Sequence, residues 1–203
     1  MRVAIIGSGI SGLSSAFFLA KKNKIDIFEK NNRLGGHTHT HKIKLDNEVN
    51  VDSGFIVFNK KNYPNLTKLF NELGLEFHRC DMSLSVHTKD FQWSSKKFSK
   101  AKNLLSLKNL KFISEIIRFN YLAKSNSSSE PIEKWIKENN FSRNFSESYL
   151  YPMIAAIWSG SSERMKDYPA SSLINFLNNH GLLNLFRGPQ WFSIKGGSNQ
   201  YIE

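Results

Sequence analysis

The sequence predicts an α/β fold in which a parallel β-α-β unit leads into a mostly helical region. Three observations predict it. An apolar, β-branched run at Arg2 to Ile6 leads into Gly7-Ser8-Gly9-Ile10-Ser11-Gly12. An Ala- and Leu-rich helical pattern from Leu13 to Lys21 follows, and a second apolar run from Ile25 to Phe28 ends on Glu29. From Lys102 to His180 the apolar residues recur mostly at helical spacing.

The glycine turn carries specific physics. Gly7 permits a tight strand-to-helix turn, Gly9 lets backbone approach a pyrophosphate without an intervening Cβ, and Gly12 lets the helix pack closely on the strands. The helix that starts here aims unpaired N–H groups and its positive dipole end at an anion, so residues Gly7 to Gly12, with Ser8, Ile10 and Ser11, form a candidate phosphate cradle. Glu29 stands seventeen residues after Gly12, where a carboxylate accepts from ribose hydroxyls. A glycine motif alone is weak. Here strand, helix, strand and terminal acid are in register, and a dinucleotide is the reading. Arg33-Leu34-Gly35-Gly36 begins four residues after Glu29. A glycine pair at that point lets a second loop touch the diphosphate, which favours FAD over NAD.

On these residues the chain resembles the flavin-dependent amine oxidase, protoporphyrinogen oxidase and phytoene desaturase superfamily. In that superfamily a strand ending in Glu precedes an R-x-G-G loop and then an apolar run with D/E-x-G, here Val51-Asp52-Ser53-Gly54-Phe55-Ile56-Val57. The segments Gly36-His37-Thr38, Asp52 to Asn59 and Tyr63-Pro64-Asn65-Leu66 resemble bacterial proteins described as NAD/FAD-binding or amine-oxidase-like. The resemblance is dense over residues 1–75, sparse through the middle, and returns at Lys195-Gly196-Gly197-Ser198.

The resemblance implies an FAD cofactor. Gly7 to Gly12 would cradle its pyrophosphate, Glu29 with Lys30 would sit at the ribose, and Arg33, Gly35, Gly36, His37 and Thr38 on the diphosphate side. Gly54, Phe55, Ile56 and Val57 would run near the flavin ring. The implied activity is that of an amine-oxidase-type oxidoreductase, in which hydride passes from a substrate C–H to the flavin N5 and the protein supplies orientation and electrostatics; no catalytic side chain is named. Two alternatives stand beside it: a desaturase-like flavoenzyme acting on an acyl or isoprenoid lipid at a membrane surface, and a non-catalytic, truncated nucleotide-binding module. The superfamily's chains are much longer and leave the flavin domain more than once. The sequence therefore reads as an N-terminal fragment, with an FAD-binding segment at 1–76, a substrate or cap domain at 77–189, and the start of a return at 190–203.

The remaining elements follow from turn chemistry and periodicity. His41 to Leu45 and Val49 to Val51 suggest a hairpin around Asp46-Asn47-Glu48, with Phe55 to Phe58 running on as a strand. Pro64 suits the first turn of a helix that ends at Gly74. Phe77 to Thr88 and Phe91 to Ser94 alternate like strands around a Lys89-Asp90 turn. Ser125 to Ser129 break the helical region, Pro131 and Pro169 open further helices, and Gln190 to Ile194 reads as a returning strand.

The 203 residues carry a formal net charge of +11, one cysteine, no internal repeat and no apolar run of membrane-spanning length. Cys80 excludes an internal disulfide and suits a reducing, cytoplasmic setting, with no signal peptide before the first strand. Between Lys96 and Lys124 eight basic residues (Lys96, Lys97, Lys100, Lys102, Lys108, Lys111, Arg118, Lys124) stand against one acid, Glu115. Leu110, Ile113, Ile116, Ile117 and Phe119 or Asn120 interleave with them. A basic amphipathic helix of this kind lies on an anionic membrane or, as the favoured reading, packs its apolar face inward with its lysines in water. No nucleic-acid motif accompanies the charge. The expected partner is a small-molecule or lipid substrate. His37, His39 and His41 alternate as a metal site would, but three ligands from one strand make a strained tetrahedron, and a flavin contact by His37 is better supported. Trp93, Trp158 and Trp191 read as core before cavity lining.

Overall fold

The computed structural model describes residues 1–87, 92–95, 107–125, 128–184 and 188–203, with the side chain of Lys108 excepted. The Lys89-Asp90 turn with Thr88 and Phe91, and the lysines at 96, 97, 100 and 102, lie outside the described residues. The chain forms two units, Met1–Asp81 with Gln190–Glu203, and Met82–Pro189.

The first unit opens with β1 (Arg2–Ile6), α1 (Ile10–Ala20) and β2 (Lys24–Phe28). β1 and β2 pair in parallel from Arg2 opposite Lys24 to Ile6 opposite Phe28, the arrangement a crossover helix of this length permits. α1 begins at Ile10, three residues before the apolar pattern predicts, because the extended Gly9 ends the turn and caps the helix. A hairpin of β3 (Thr40–Lys44) and β4 (Glu48–Asp52) follows, with Thr40 opposite Asp52.

The strand expected at Phe55 to Phe58 is shorter and later. β5 is only Phe58–Asn59, and residues 55–57 are irregular. Packing sets its position: the fully buried Phe58 ring makes edge contacts with Phe70 at 5.4 Å and Phe77 at 5.2 Å. α2 (Pro64–Glu72) starts at its proline and is followed by Gly74 at φ +68°. β6 (Phe77–Cys80) and the returning β9 (Trp191–Ile194) complete an antiparallel sheet in the order β5-β9-β6. The expected continuous strand from Phe77 to Thr88 is thus divided. Phe77–Cys80 was expected in the second domain, yet it pairs with β9 from Phe77 opposite Ile194 to Cys80 opposite Trp191. That register holds it in the first unit. Cys80 is half-buried.

In the second unit a short hairpin, β7 (Ser85–His87) and β8 (Gln92–Ser94), precedes helices. These are α3 (Leu107–Ala123), α4 (Ile132–Glu138), α5 (Arg143–Phe145), α6 (Tyr151–Trp158), α7 (Ser162–Met165) and α8 (Ala170–Asn179). Their core is aromatic, with Phe112, Phe119, Phe145, Tyr149, Trp93 and Trp135 packed together. Trp93 is core, as the sequence suggested, and Trp158 packs at its margin.

Between α5 and α6 a π-helical turn covers Ser146–Leu150. Pro152 explains it. Proline has no N–H, so the carbonyl four residues earlier, that of Ser148, loses its helical donor. The Trp93 indole N–H donates to that carbonyl at 2.5 Å, so the buried acceptor is satisfied and the hairpin is tied to the helices.

Candidate cofactor site

The glycine turn after β1 and the glycine pair after β2 meet. The Gly35 N–H donates to the Ser8 carbonyl at 3.0 Å. A Cβ on Gly36 would lie 2.9 Å from Gly9 Cα, and Gly36 sits at φ +59°, so side-chain bulk and backbone geometry both require glycine there. A Cβ on Gly12 would fall 2.0 Å from the Gly7 carbonyl oxygen, which is the close helix-to-strand approach that the motif predicts. Gly9 has no side-chain cap, and the first bond inside α1 runs from the Leu13 N–H to the Gly9 carbonyl. The N–H groups of Ile10, Ser11 and Gly12 therefore end in the shared groove without an intrahelical acceptor. A bare backbone cradle with a positive dipole end fits a diphosphate.

Glu29 stands beside this cradle, at the end of β2. Its Oε2 accepts from the Ser8 N–H at 2.9 Å and the Ser8 hydroxyl at 2.6 Å, and its Oε1 from the Asn31 N–H and Nδ2, each at 3.0 Å. The Ser8 hydroxyl first, then the Asn31 and Ser8 N–H groups, hold its carboxyl down to about 2. A carboxylate offers about four acceptor positions, and all are in use. A ribose placed here would reach Glu29 by displacing the two rotatable donors, the Ser8 hydroxyl and the Asn31 carboxamide. Lys30 is exposed next to it.

Arg33 does something the motif did not predict. Its guanidinium donates to the carbonyls of Thr38 at 2.5 Å, Gly36 at 2.7 Å and Leu34 at 3.3 Å. It staples its own loop into the shape that presents Gly36. Thr38 is buried and its hydroxyl is bonded to the Tyr201 hydroxyl, so its role is to hold the loop. His37 is exposed. A Cβ on Gly54 would lie 1.7 Å from the His37 carbonyl, which brings Gly54 against the glycine-pair loop. Phe55 turns away to join Phe58 and Phe70 in the core, whereas Ile56 is exposed and Val57 half-buried. The His39 and His41 rings lie 3.9 Å apart, tilted by 43°, and His41 Nε2 bonds the Ser53 hydroxyl. Burial first, then the charges of His41 and Arg33, push His39 below the usual histidine range. Among the described residues no group of three or more His, Cys, Asp or Glu is placed to hold a metal.

Asp52, Thr40 and the returning segment were not singled out as site residues. Asp52 accepts from the Thr40 hydroxyl at 2.5 Å, from the Ser198 hydroxyl at 2.8 Å and from the Ser198 N–H at 3.0 Å. The Thr40 N–H donates to Asn199 Oδ1, and the Asn199 N–H donates back to the Thr40 hydroxyl. The signal in the sequence is the pairing of Asp52-x-Gly54 with Gly196-Gly197-Ser198, which only a folded register connects.

Residues 5–73 match the family model of a NAD(P)-binding Rossmann-like domain. That segment is a Rossmann-like domain. Around it the chain is 35% identical over 82 residues to the flavin-containing amine oxidase A of Equus caballus, covering 40% of this chain and 15% of that protein. It is 43% identical over 67 residues to protoporphyrinogen oxidase of Dictyostelium discoideum, covering 26% of this chain and 13% of that protein. Among solved structures, cyclohexylamine oxidase from Brevibacterium oxydans superposes with a TM-score of 0.71 at 19% identity, over 98% of this chain and 47% of that one. Putrescine oxidase bound to putrescine superposes at 0.66 and 18% identity, over 99% and 48%. Beyond the Rossmann-like domain itself, the chain therefore shares the fold of the superposed portion of those two structures. The chain spans about half the length of those structures, and the stretches aligned to the two curated relatives are a smaller share of theirs. Among the described residues no helix is long and apolar enough to cross a membrane.

Proposed function

We propose that this chain is the cofactor-gripping part of an FAD-dependent oxidoreductase of amine-oxidase type. The observation that carries the reading is the contact of Gly36 with Gly9. Two glycine loops share one groove at the start of α1, beside a carboxylate-tipped strand, and a nicotinamide site needs only the first of them. The backbone N–H groups of Ile10, Ser11 and Gly12 would hold the diphosphate, and Glu29 the adenosine ribose. Arg33 and Thr38 keep the Gly35-Gly36 loop in place, and Asp52 locks the hairpin that carries the Gly54 turn. A bound flavin would supply the acceptor for a hydride equivalent from a substrate C–H. A small amine is the substrate class favoured by the named activities of the structural neighbours, and a cytoplasmic setting belongs to the same proposal, in keeping with the single cysteine.

The test is binding of FAD, ADP and NAD to the purified chain, followed by tryptophan fluorescence and by the flavin's visible absorption after gel filtration. The reading expects FAD to be held and to be displaced by ADP, and Gly36→Val to abolish FAD binding. Absence of both ADP and FAD binding, or a Gly36→Val variant that binds FAD as the wild type does, overturns it.

A further inference from the structure

The outer side of α3 carries a second apolar stripe that is exposed among the described residues. The inward positions are Phe112, Glu115, Ile116, Phe119, Asn120 and Ala123, all buried. On the opposite side, at 100° per residue, Leu107 is 85% exposed, Leu110 51%, Ile117 51% and Tyr121 77%. The single amphipathic face expected from sequence is thus two faces, with Ile116 turned inward and Leu110 and Ile117 outward. Exposed Lys111 and Lys124 flank the outer stripe on its two sides.

The one acid of the segment contributes nothing to that outer surface. Glu115 points inward, where its carboxylate accepts from the Ser142 N–H and hydroxyl, each at 2.7 Å. Arg118 is tethered to the Asn139 and Asn140 carbonyls and lies 4.0 Å from the Phe141 ring. Among the described residues of α3, what faces outward is apolar and cationic, and the helix's one carboxylate is turned inward.

We propose that this face of α3 docks on an anionic lipid surface. Leu107, Leu110 and Ile117 enter the boundary between headgroups and acyl chains, Tyr121 stays at the headgroup level, and the flanking lysines reach lipid phosphates. Charge selects the occupant. A second copy of this helix would bring lysine against lysine with no acid to pair, and a neutral bilayer would leave the lysines without counter-charge.

The test is sedimentation of the purified chain with phosphatidylcholine vesicles, with and without phosphatidylserine. The proposal expects binding to the anionic vesicles only, weakening as salt rises. Lys111→Glu with Lys124→Glu should lower the partition coefficient by about tenfold or more. Leu110→Glu with Ile117→Glu should abolish binding while the circular dichroism and melting temperature stay unchanged, since both side chains lie outside the core. Three results overturn it: no wild-type binding to anionic vesicles, equal binding to both kinds, or retained binding by the Leu110/Ile117 variant. A wild-type dimer that this variant converts to a monomer also overturns it, by assigning the face to a second copy.

Discussion

Removing the Asp52 carboxylate tests how the returning segment is fixed to the hairpin. In Asp52→Ala three donors lose their acceptor: the Ser198 N–H, the Ser198 hydroxyl and the Thr40 hydroxyl. Ser198 is buried, so water does not replace the carboxylate there. Hydrogen bonds to a charged group are worth about 1.5–3 kcal/mol each, and partial exposure of Asp52 brings each down to about 1. The sum is about 3 kcal/mol. In a unit of this size each kcal/mol moves the midpoint by about 4–8 °C, so the first unit should melt about 12–24 °C lower by calorimetry. Asp52→Asn keeps one acceptor but turns an NH2 group toward donors, and should fall between the two. A double-mutant cycle with Ser198→Ala should show strong coupling. An Asp52→Ala protein that melts within about 3 °C of the wild type would refute the assignment of this carboxylate as the lock.

Two further outcomes follow from single residues. Glu29 has a folded-state pKa held at about 2, below its ordinary 4.5. Its contribution to stability is present above about 4.5 and is lost as pH falls from there through about 2. Glu29→Gln should flatten that part of an acid-denaturation profile; an unchanged profile contradicts the depressed value. Asn120 is buried with neither amide atom partnered among the described residues. Leucine there should raise the stability of the second unit by about 1–3 kcal/mol in chemical denaturation, and a loss of stability would show that the amide is satisfied.

Much of the first unit was legible because its signals are local. The β-branched run, the Gly7–Gly12 turn and the acid at Glu29 specify β1-α1-β2 through turn sterics and helix periodicity, which need no distant partner. Pro64 and Gly74 bracket α2 for the same reason. The strand at Phe55 to Phe58 was misjudged because a run of apolar residues does not say which strand it will find. Phe58 and Asn59 pair with Phe192 and Trp191, more than 130 residues on, while Phe55 goes to the core. The outer stripe of α3 was hidden by a pattern in which apolar residues fall on both sides of the helix, so that only contacts decide which side is inward.

By itself the sequence determined where backbone must be bare: at Gly12 and Gly36 a side chain would collide with neighbouring backbone, and that restriction is written residue by residue. Tertiary structure alone decided what those bare positions approach, and how polar groups would be spent. It set Gly36 against Gly9, gave the Arg33 guanidinium to loop carbonyls, and filled the acceptor positions of Glu29 with Ser8 and Asn31. The physical reason is range. A glycine's freedom and a helix's dipole are properties of a few adjacent residues, whereas a hydrogen bond such as that between Asp52 and Ser198 exists only when chain folding brings together residues 146 positions apart.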